Sequence, residues 1–129
     1  MKIRAKIVGA TGYGGLGIIE LLLQHPNAEI VALIAREDAG KHIDELYPHL
    51  AGFCSLPILE ADDPRANVDC DVVFLSTPDR VGMSMARDYL AKGVKVIDYS
   101  GDFRFTTPEA YADYATRLGK EPTHADPEL

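Results

Sequence analysis

The sequence predicts an α/β domain in which a doubly wound parallel sheet carries helices on both faces. Two strand-helix-strand units follow one another along the chain, and a glycine-rich turn separates the first strand from the first helix. Strands that are covered on both faces form continuous aliphatic runs, as residues 28–35 and 71–76 do. Two right-handed crossover units placed side by side produce this architecture.

Each element of the first unit has its own signal. Residues 3–8 alternate and then become apolar before the glycine turn, which predicts a strand. Residues 13–25 carry leucine and isoleucine at helical spacing, and Pro26 ends the predicted helix. Residues 28–35 form the second predicted strand. The opening of the chain therefore has the order strand, helix, strand.

The second unit follows a less regular middle segment. Residues 40–48 suit one short helix, and residues 56–59 suit a short strand at a sheet edge, where proline is tolerated. The remaining predicted elements are a strand at 71–76, a helix at about 81–92 that ends at Gly93, a strand at 94–98 and an amphipathic helix at 108–118. Residues 1–129 are expected to form one Rossmann-type domain.

Composition excludes several classes of function. The chain has 13 basic and 20 acidic residues, a net charge of −7, which disfavours nucleic acid and anionic membranes as partners. Apolar residues make up 47% and charged residues 26%, as in a folded domain. The longest near-continuous apolar run, residues 18–23, is far shorter than the ~20 residues of a membrane span.

The N-terminus and the cysteines favour a reducing compartment. Residues 1–8 lack the apolar core and cleavage site of a signal peptide, so we expect a cytoplasmic protein. Cys54 and Cys70 have neither C-x-x-C spacing nor clustered histidines. We interpret both as reduced, structural thiols and expect no metal site.

The glycine turn is the first candidate site. It reads Gly9-Ala10-Thr11-Gly12-Tyr13-Gly14-Gly15, a G-x-x-G-x-x-G arrangement between a predicted strand and a predicted helix. Bare backbone at such a turn lets a pyrophosphate approach the amides at the positive end of the helix dipole. We therefore expect the loop to bind a dinucleotide, mainly through residues 9 and 11–15. The alternative is a turn whose glycines serve only packing.

Arg36 bears on the choice of dinucleotide. An acidic residue after the second strand holds the ribose hydroxyls of NAD, whereas an arginine there suits the 2′-phosphate of NADP. The second predicted strand ends at Ala35-Arg36, and a guanidinium can bind a phosphate with two parallel hydrogen bonds. This pattern favours NADP. In the alternative, Arg36 is a surface residue paired with Glu37 or Asp38.

Polar residues follow both strands of the second unit. Ser76, Thr77 and Pro78 lie after the strand at 71–76, at the edge where parallel sheets bind ligands, and we expect them to contact the cofactor. The alternative is that Ser76, Thr77 or Asp79 caps the next helix. Arg80 could face an anionic ligand or solvent. The loop at residues 98–104 is equally polar, and it is either part of the site or a turn held by local side-chain bonds.

Taken together, these segments resemble the N-acetyl-gamma-glutamyl-phosphate reductase family. The resemblance covers nearly the whole chain, and the Pro-His-Leu and Asp98 to Arg104 segments are more diagnostic than the glycine loop. The matching pieces are residues 9–15, Ala35-Arg36 with Ala39-Gly40-Lys41, Tyr47-Pro48-His49-Leu50-Ala51-Gly52, Asp71-Val72-Val73-Phe74-Leu75, and Val96-Ile97-Asp98-Tyr99-Ser100-Gly101-Asp102-Phe103-Arg104.

The resemblance implies a role for the chain. Members of the family reduce an acyl phosphate to a semialdehyde with NADPH in arginine biosynthesis. By resemblance, Ser100 lies near the nicotinamide end of the cofactor, and Asp102 and Arg104 lie near the small-molecule acyl-phosphate substrate. The whole protein would be an NADP-dependent oxidoreductase, a homo-oligomer assembled through a second domain.

Two departures from the family pattern limit this prediction. Many members have Pro-His-Gly where this chain has Pro78-Asp79-Arg80, so a role for that histidine does not transfer. The family's nucleophilic cysteine lies in an Asn-Pro-Gly-Cys motif that this chain lacks, and its general-base histidine lies further on. In the family that thiolate attacks the acyl phosphate before hydride transfer. We therefore expect no catalytic residue among residues 1–129 and no activity from this chain alone.

Two other functions are compatible with the same motifs. Aspartate-semialdehyde dehydrogenases and the related lysine-pathway reductases share the glycine loop and the mechanism but act on other acyl phosphates. A non-catalytic module that senses NADP would also need only the loop and Arg36.

Overall fold

The computed structural model describes residues 1–129 and contains a five-stranded, wholly parallel sheet in the order β3-β2-β1-β4-β5. The strands are β1 (Ile3–Val8), β2 (Ala28–Ile34), β3 (Ile58–Leu59), β4 (Val72–Leu75) and β5 (Lys95–Asp98). The helices are α1 (Tyr13–Leu23), α2 (Ile43–Leu46), α3 (Ala86–Ala91) and α4 (Pro108–Arg117), with single 3-10 turns at Pro48–Leu50, Pro64–Asn67 and Gly82–Ser84.

The strand order confirms the predicted fold class. The chain begins at the centre of the sheet, builds outward to β3, and then returns to add β4 and β5 on the other side of β1. The direction of winding reverses between β1 and β4, which is the point where doubly wound sheets bind ligands. The short strand predicted at residues 56–59 is β3, and it lies at the edge of the sheet as expected.

Both faces of the sheet carry a core. On one face Ile7 and Leu33 pack with Ile19 of α1, and all three are fully buried. On the other face Val73 and Leu75 pack with Ala86 of α3. The central strands are therefore covered on both sides, which is why residues 30–34 of β2 and the whole of β4 are continuously apolar.

The predicted helix at residues 81–92 is divided in two. A 3-10 turn at Gly82–Ser84 precedes α3, which begins only at Ala86. The buried Asp102 carboxylate accepts a hydrogen bond from the Met83 amide, at 3.1 Å, within the 3-10 turn. α3 ends at Ala91, and Gly93, just past the Lys92 cap, has the φ of +77° that suits the predicted end of the helix.

The predicted helices at residues 13–25 and 108–118 agree with the structure within two residues, whereas the one predicted at 40–48 covers only Ile43–Leu46. α1 ends at Leu23, and α4 covers Pro108–Arg117 with a Thr107 cap that accepts the Ala110 amide. None of the helices has the length and apolar character needed to cross a membrane. Both cysteines are free thiols.

Candidate cofactor-binding site

The glycine loop, residues 9–15, joins β1 to α1 at the carboxyl edge of the sheet. The neighbouring strand anchors it, because the amides of Gly9 and Ala10 both donate to the Ile34 carbonyl, at 2.8 and 3.1 Å. Gly9 has a φ of +82°, and a side chain there would collide with the carbonyl group of Ser76. Glycine is the residue that permits both the left-handed backbone and this close approach.

Two further glycines of the loop serve packing. A Cβ on Gly15 would overlap the Gly9 carbonyl and the backbone of Ala10, where α1 meets the end of β1. A Cβ on Gly14 would lie 2.5 Å from the hydroxyl of Ser76. The packing interpretation therefore accounts for Gly9, Gly14 and Gly15.

Gly12 has no such packing role. It is the exposed N-cap of α1, and a Cβ there would meet no atom closer than 3.9 Å. No side chain caps the helix, and its first turn has no acidic residue. The amides of Tyr13, Gly14 and Gly15 have no acceptor within the protein. An open helix N-terminus with free amides fits an anionic group such as a pyrophosphate.

Tyr47 holds the loop from a distant part of the sequence. Its hydroxyl donates to the Thr11 carbonyl at 2.6 Å, across a separation of 36 residues. Burial raises the pKa of Tyr47, and the nearby Tyr13 and Asp38 raise it further. Tyr47 belongs to a segment that matches the family, but the sequence predicts no role for it, because no local pattern signals a contact over 36 residues.

The segment after β4 lies beside the glycine loop. Its Ser76 amide donates to the Val8 carbonyl at 2.9 Å, while the Ser76 carbonyl and hydroxyl approach Gly9 and Gly14. The Thr77 hydroxyl is buried without a partner. Neither side chain caps a helix, since the following 3-10 turn has no side-chain cap. The structure thus brings Ser76 and the Thr77 amide next to the loop and gives no support to the capping alternative.

Asp79 ties this segment to two others. Its carboxylate accepts hydrogen bonds from the Tyr114 hydroxyl at 2.6 Å, the Gly101 amide at 2.8 Å and the Lys120 ammonium at 2.9 Å. These donors, with Tyr114 first, lower the pKa of Asp79 to about 2. The segment after β4 is thereby fastened to the loop after β5 and to α4.

Arg80 and Asp102 extend the same connection. The Arg80 amide donates to the Asp102 carboxylate at 2.8 Å, and the Arg80 guanidinium donates to the carbonyls of Glu121 and Thr123 at 2.9 and 3.2 Å. The Arg80 guanidinium is therefore held by the protein's own groups, these two carbonyls and the Tyr111 hydroxyl at 3.2 Å. Its φ of +77° is a conformation that favours glycine. We call Asp79, Arg80 and Asp102 the polar clasp.

The loop after β5 is held by local bonds of the expected kind. Asp98 accepts the Ser100 amide at 2.6 Å, and the Ser100 hydroxyl accepts the Asp102 amide at 3.2 Å. The Asp102 carboxylate is 2% exposed, with one oxygen bonded to the amide of Arg80 and the other to that of Met83. Arg104 is exposed and donates only its Nε to the Ser100 carbonyl, at 3.1 Å.

Arg36 lies just beyond β2, at the same edge of the sheet. Its side chain is exposed and makes no hydrogen bond or ion pair within the protein. The expected competitor Asp38 is paired with Lys41 instead, at 2.9 Å. The alternative in which Arg36 is a surface ion pair is therefore not what the structure shows, and its guanidinium is free to bind a ligand.

The sequence matches a family model described as the semialdehyde dehydrogenase NAD binding domain over residues 4–120. The chain belongs to this family. A nicotinamide cofactor is the ligand class of such a domain, which agrees with the open helix N-terminus at Gly12. The expected oxidoreductase family is thereby confirmed.

Two curated relatives show the similarity in more detail. An N-acetyl-gamma-glutamyl-phosphate reductase of Nitrosococcus oceani is 41% identical over 127 residues, 98% of this chain and 36% of the relative. One of Acidithiobacillus ferrooxidans is 46% identical over 112 residues, 87% of this chain and 32% of the relative. The resemblance found in the motifs is confirmed. The chain spans about a third of the length of these relatives.

Solved structures share the fold. The aspartate semialdehyde dehydrogenase of Candida albicans, solved with NADP, superposes with a TM-score of 0.69 over 96% of this chain and 41% of its own, at 22% identity. A probable aspartate-semialdehyde dehydrogenase from Pseudomonas aeruginosa superposes with a TM-score of 0.64 over 95% of this chain and 36% of its own, at 25% identity. At this identity the likeness supports the architecture.

Proposed function

We propose that this chain is the NADP-binding domain of an N-acetyl-gamma-glutamyl-phosphate reductase. The observation that carries the proposal is the open N-terminus of α1, where the amides of residues 13–15 are free, together with the unpaired Arg36 at the end of β2. Neither feature serves the packing of the domain. Both are suited to phosphate groups.

The N-terminus of α1 and Arg36 bind different phosphate groups of the dinucleotide. The pyrophosphate binds at Gly12 and the free amides of α1, where backbone without side chains permits close contact. The adenosine 2′-phosphate binds Arg36, whose guanidinium supplies a bidentate charge-assisted contact. The segment Ser76, Thr77 and Pro78 lines the next part of the cofactor, and Ser100 lies toward the nicotinamide.

In the whole protein, a nicotinamide cofactor held by these residues would supply the hydride that converts the acyl phosphate to a semialdehyde, with release of inorganic phosphate. The nucleophile for that reaction lies outside this chain. Cys54 is buried in the core, and burial raises the pKa of Cys70, which opposes formation of a thiolate. The chain alone therefore binds the cofactor and does not reduce the acyl phosphate.

Arg104 and Asp102, in the loop after β5, have different roles toward the substrate. The exposed guanidinium of Arg104 has free terminal nitrogens that suit the phosphate of an acyl-phosphate substrate. The Asp102 carboxylate is already bonded to two backbone amides, so it contributes by fixing the loop beside the substrate.

Replacement of Arg36 tests the choice of cofactor. Arg36→Ala removes the contact to the 2′-phosphate, so it should weaken NADPH binding about tenfold or more and leave NADH binding unchanged. Calorimetric titration measures both affinities. The matched control is Arg117→Ala, an exposed arginine of α4 paired with Asp113, which should change neither. Equal losses of NADPH and NADH affinity in Arg36→Ala would defeat the assignment.

The choice of acyl-phosphate substrate is tested by measuring turnover. The whole protein should turn over N-acetylglutamyl phosphate and leave aspartyl phosphate largely unreacted, because the 41% and 46% identical relatives are both named for the former. A preference for aspartyl phosphate would favour an aspartate-semialdehyde dehydrogenase. Absence of turnover with NADPH binding intact would favour an NADP-sensing module.

A further inference from the structure

The peptide between Thr11 and Gly12 is held in the glycine loop by two hydrogen bonds of unequal length. Its Gly12 amide reaches the Gly9 carbonyl at 3.4 Å, which is long for a hydrogen bond. Its Thr11 carbonyl has one short contact, the hydroxyl of Tyr47 at 2.6 Å. The turn itself therefore holds this peptide weakly, and the tyrosine holds it firmly.

We propose that Tyr47 is a positioning residue that fixes the Thr11–Gly12 peptide so that the α1 N-terminus can accept a pyrophosphate. The proposal rests on the proposed function. Because a peptide is planar, its carbonyl oxygen and amide hydrogen point to opposite sides. With its oxygen bound to Tyr47, this peptide cannot turn that oxygen toward the free amides of α1. A carbonyl oxygen in that position would repel the anion.

Tyr47 is well placed to act in this way because its own backbone is fixed. Its amide donates to the carbonyl of the fully buried Ile43 at 2.9 Å, and its carbonyl accepts the Leu50 amide at 3.0 Å. The ring packs on the core cluster beneath α1. Little conformational entropy is lost in forming the bond to Thr11, since the side chain is ordered before any ligand arrives.

The hydroxyl also stays a donor throughout the useful pH range. Burial, the main cause, and the neighbouring Tyr13 and Asp38 raise the pKa of Tyr47 above its usual value. The phenol thus remains protonated at neutral pH. A deprotonated oxygen would repel the Thr11 carbonyl.

Tyr47→Phe tests the proposal, because it removes the hydroxyl and keeps the ring. Wild type and variant are titrated with NADPH, with NADH and with adenosine 2′-monophosphate, which has the 2′-phosphate and no pyrophosphate. We expect NADPH and NADH to bind about two- to tenfold more weakly to the variant, with the nucleotide monophosphate unaffected. Tyr89→Phe is the matched control, since the Tyr89 hydroxyl makes no hydrogen bond and its ring lies on the other face of the sheet.

Other outcomes overturn the proposal in distinguishable ways. Unchanged NADPH and NADH affinity in Tyr47→Phe overturns the positioning role and leaves the proposed function intact. Wild type that binds none of the three ligands overturns both. Amide hydrogen exchange of the ligand-free variant separates a local effect from a general one. Faster exchange confined to Gly9, Ala10 and Gly12, the loop amides that donate hydrogen bonds, supports the proposal. Faster exchange throughout the sheet shows a general stabilising role and overturns it.

Discussion

At the scale of single residues, the glycines of the loop perform two different tasks. Gly9 and Gly15 permit the close approach of α1, β1 and the segment after β4, because a Cβ on either would meet backbone atoms. Gly12 meets no neighbour and lies open at the helix N-terminus. The sequence predicted the loop and its residues, but the packing task of Gly9 depends on Ser76, which is 67 residues away and outside any local pattern.

Substitution of the two kinds of glycine should affect different properties, the stability of the fold for Gly15 and NADPH binding for Gly12. Gly15→Ala should lower the free energy of unfolding by about 2 kcal/mol or more, because the new methyl overlaps backbone that cannot move aside. Gly12→Ala should cost less than about 1 kcal/mol, since its backbone is extended and the space is open, yet it should weaken NADPH binding. Urea unfolding and NADPH titration of both variants measure these effects. Full NADPH affinity in Gly12→Ala would place the pyrophosphate elsewhere.

At the scale of elements, the polar clasp shows contacts that no sequence pattern signals. The spacing of apolar residues at 81–92 predicts one helix, whereas the structure has a 3-10 turn at Gly82–Ser84 and then α3. The Met83 amide of that turn binds the Asp102 carboxylate, which comes 19 residues later. Periodicity within a window contains no information about such a contact, so the contact could not have been predicted locally.

The hydrogen bonds of Asp79 in the polar clasp should make the stability of the fold depend on pH. The pKa of Asp79 in the folded protein is about 2, below the usual aspartate pKa of 3.8, so its ionised form stabilises the fold above pH 3.8 and this contribution is lost as the pH falls toward 2. Asp79→Asn should lower the free energy of unfolding by about 1 to 3 kcal/mol at pH 7, with a smaller difference from wild type near pH 2. Urea unfolding across this range measures the difference.

Asp113→Asn provides the control for that experiment. Asp113 is exposed and paired only with Arg117, one turn along α4, so its replacement should change stability little at any pH. A difference between wild type and Asp79→Asn that is the same at pH 7 and pH 2 would contradict the account of the clasp.

At the scale of the whole molecule, the order of elements along the chain was sufficient to predict the sheet. Two strand-helix-strand units joined by right-handed crossovers leave few arrangements other than the observed β3-β2-β1-β4-β5. The contacts of the last stretch were not predictable in the same way. His124 is buried against Phe103 and Tyr111, and its Nε2 lies 2.8 Å from the Asp102 carbonyl. A polar segment with two prolines gives no periodic signal for such packing.

The topology of the sheet also determines where the candidate cofactor site lies. The ends of β1, β2, β4 and β5 meet at one edge of the sheet, and each contributes a candidate residue, Gly12, Arg36, Ser76 and Ser100 respectively. The net charge of −7 opposes a phosphorylated ligand at long range. In the proposed function, cofactor binding therefore depends on local donors, the free amides of α1 and the guanidinium of Arg36.

The most direct test of the central claim is titration of the 129-residue chain with NADPH and NADH by calorimetry. The account predicts one site, saturable by NADPH, with NADH about tenfold or more weaker because it lacks the phosphate that Arg36 would bind. Tighter binding of NADH, or no binding of either dinucleotide, would contradict it.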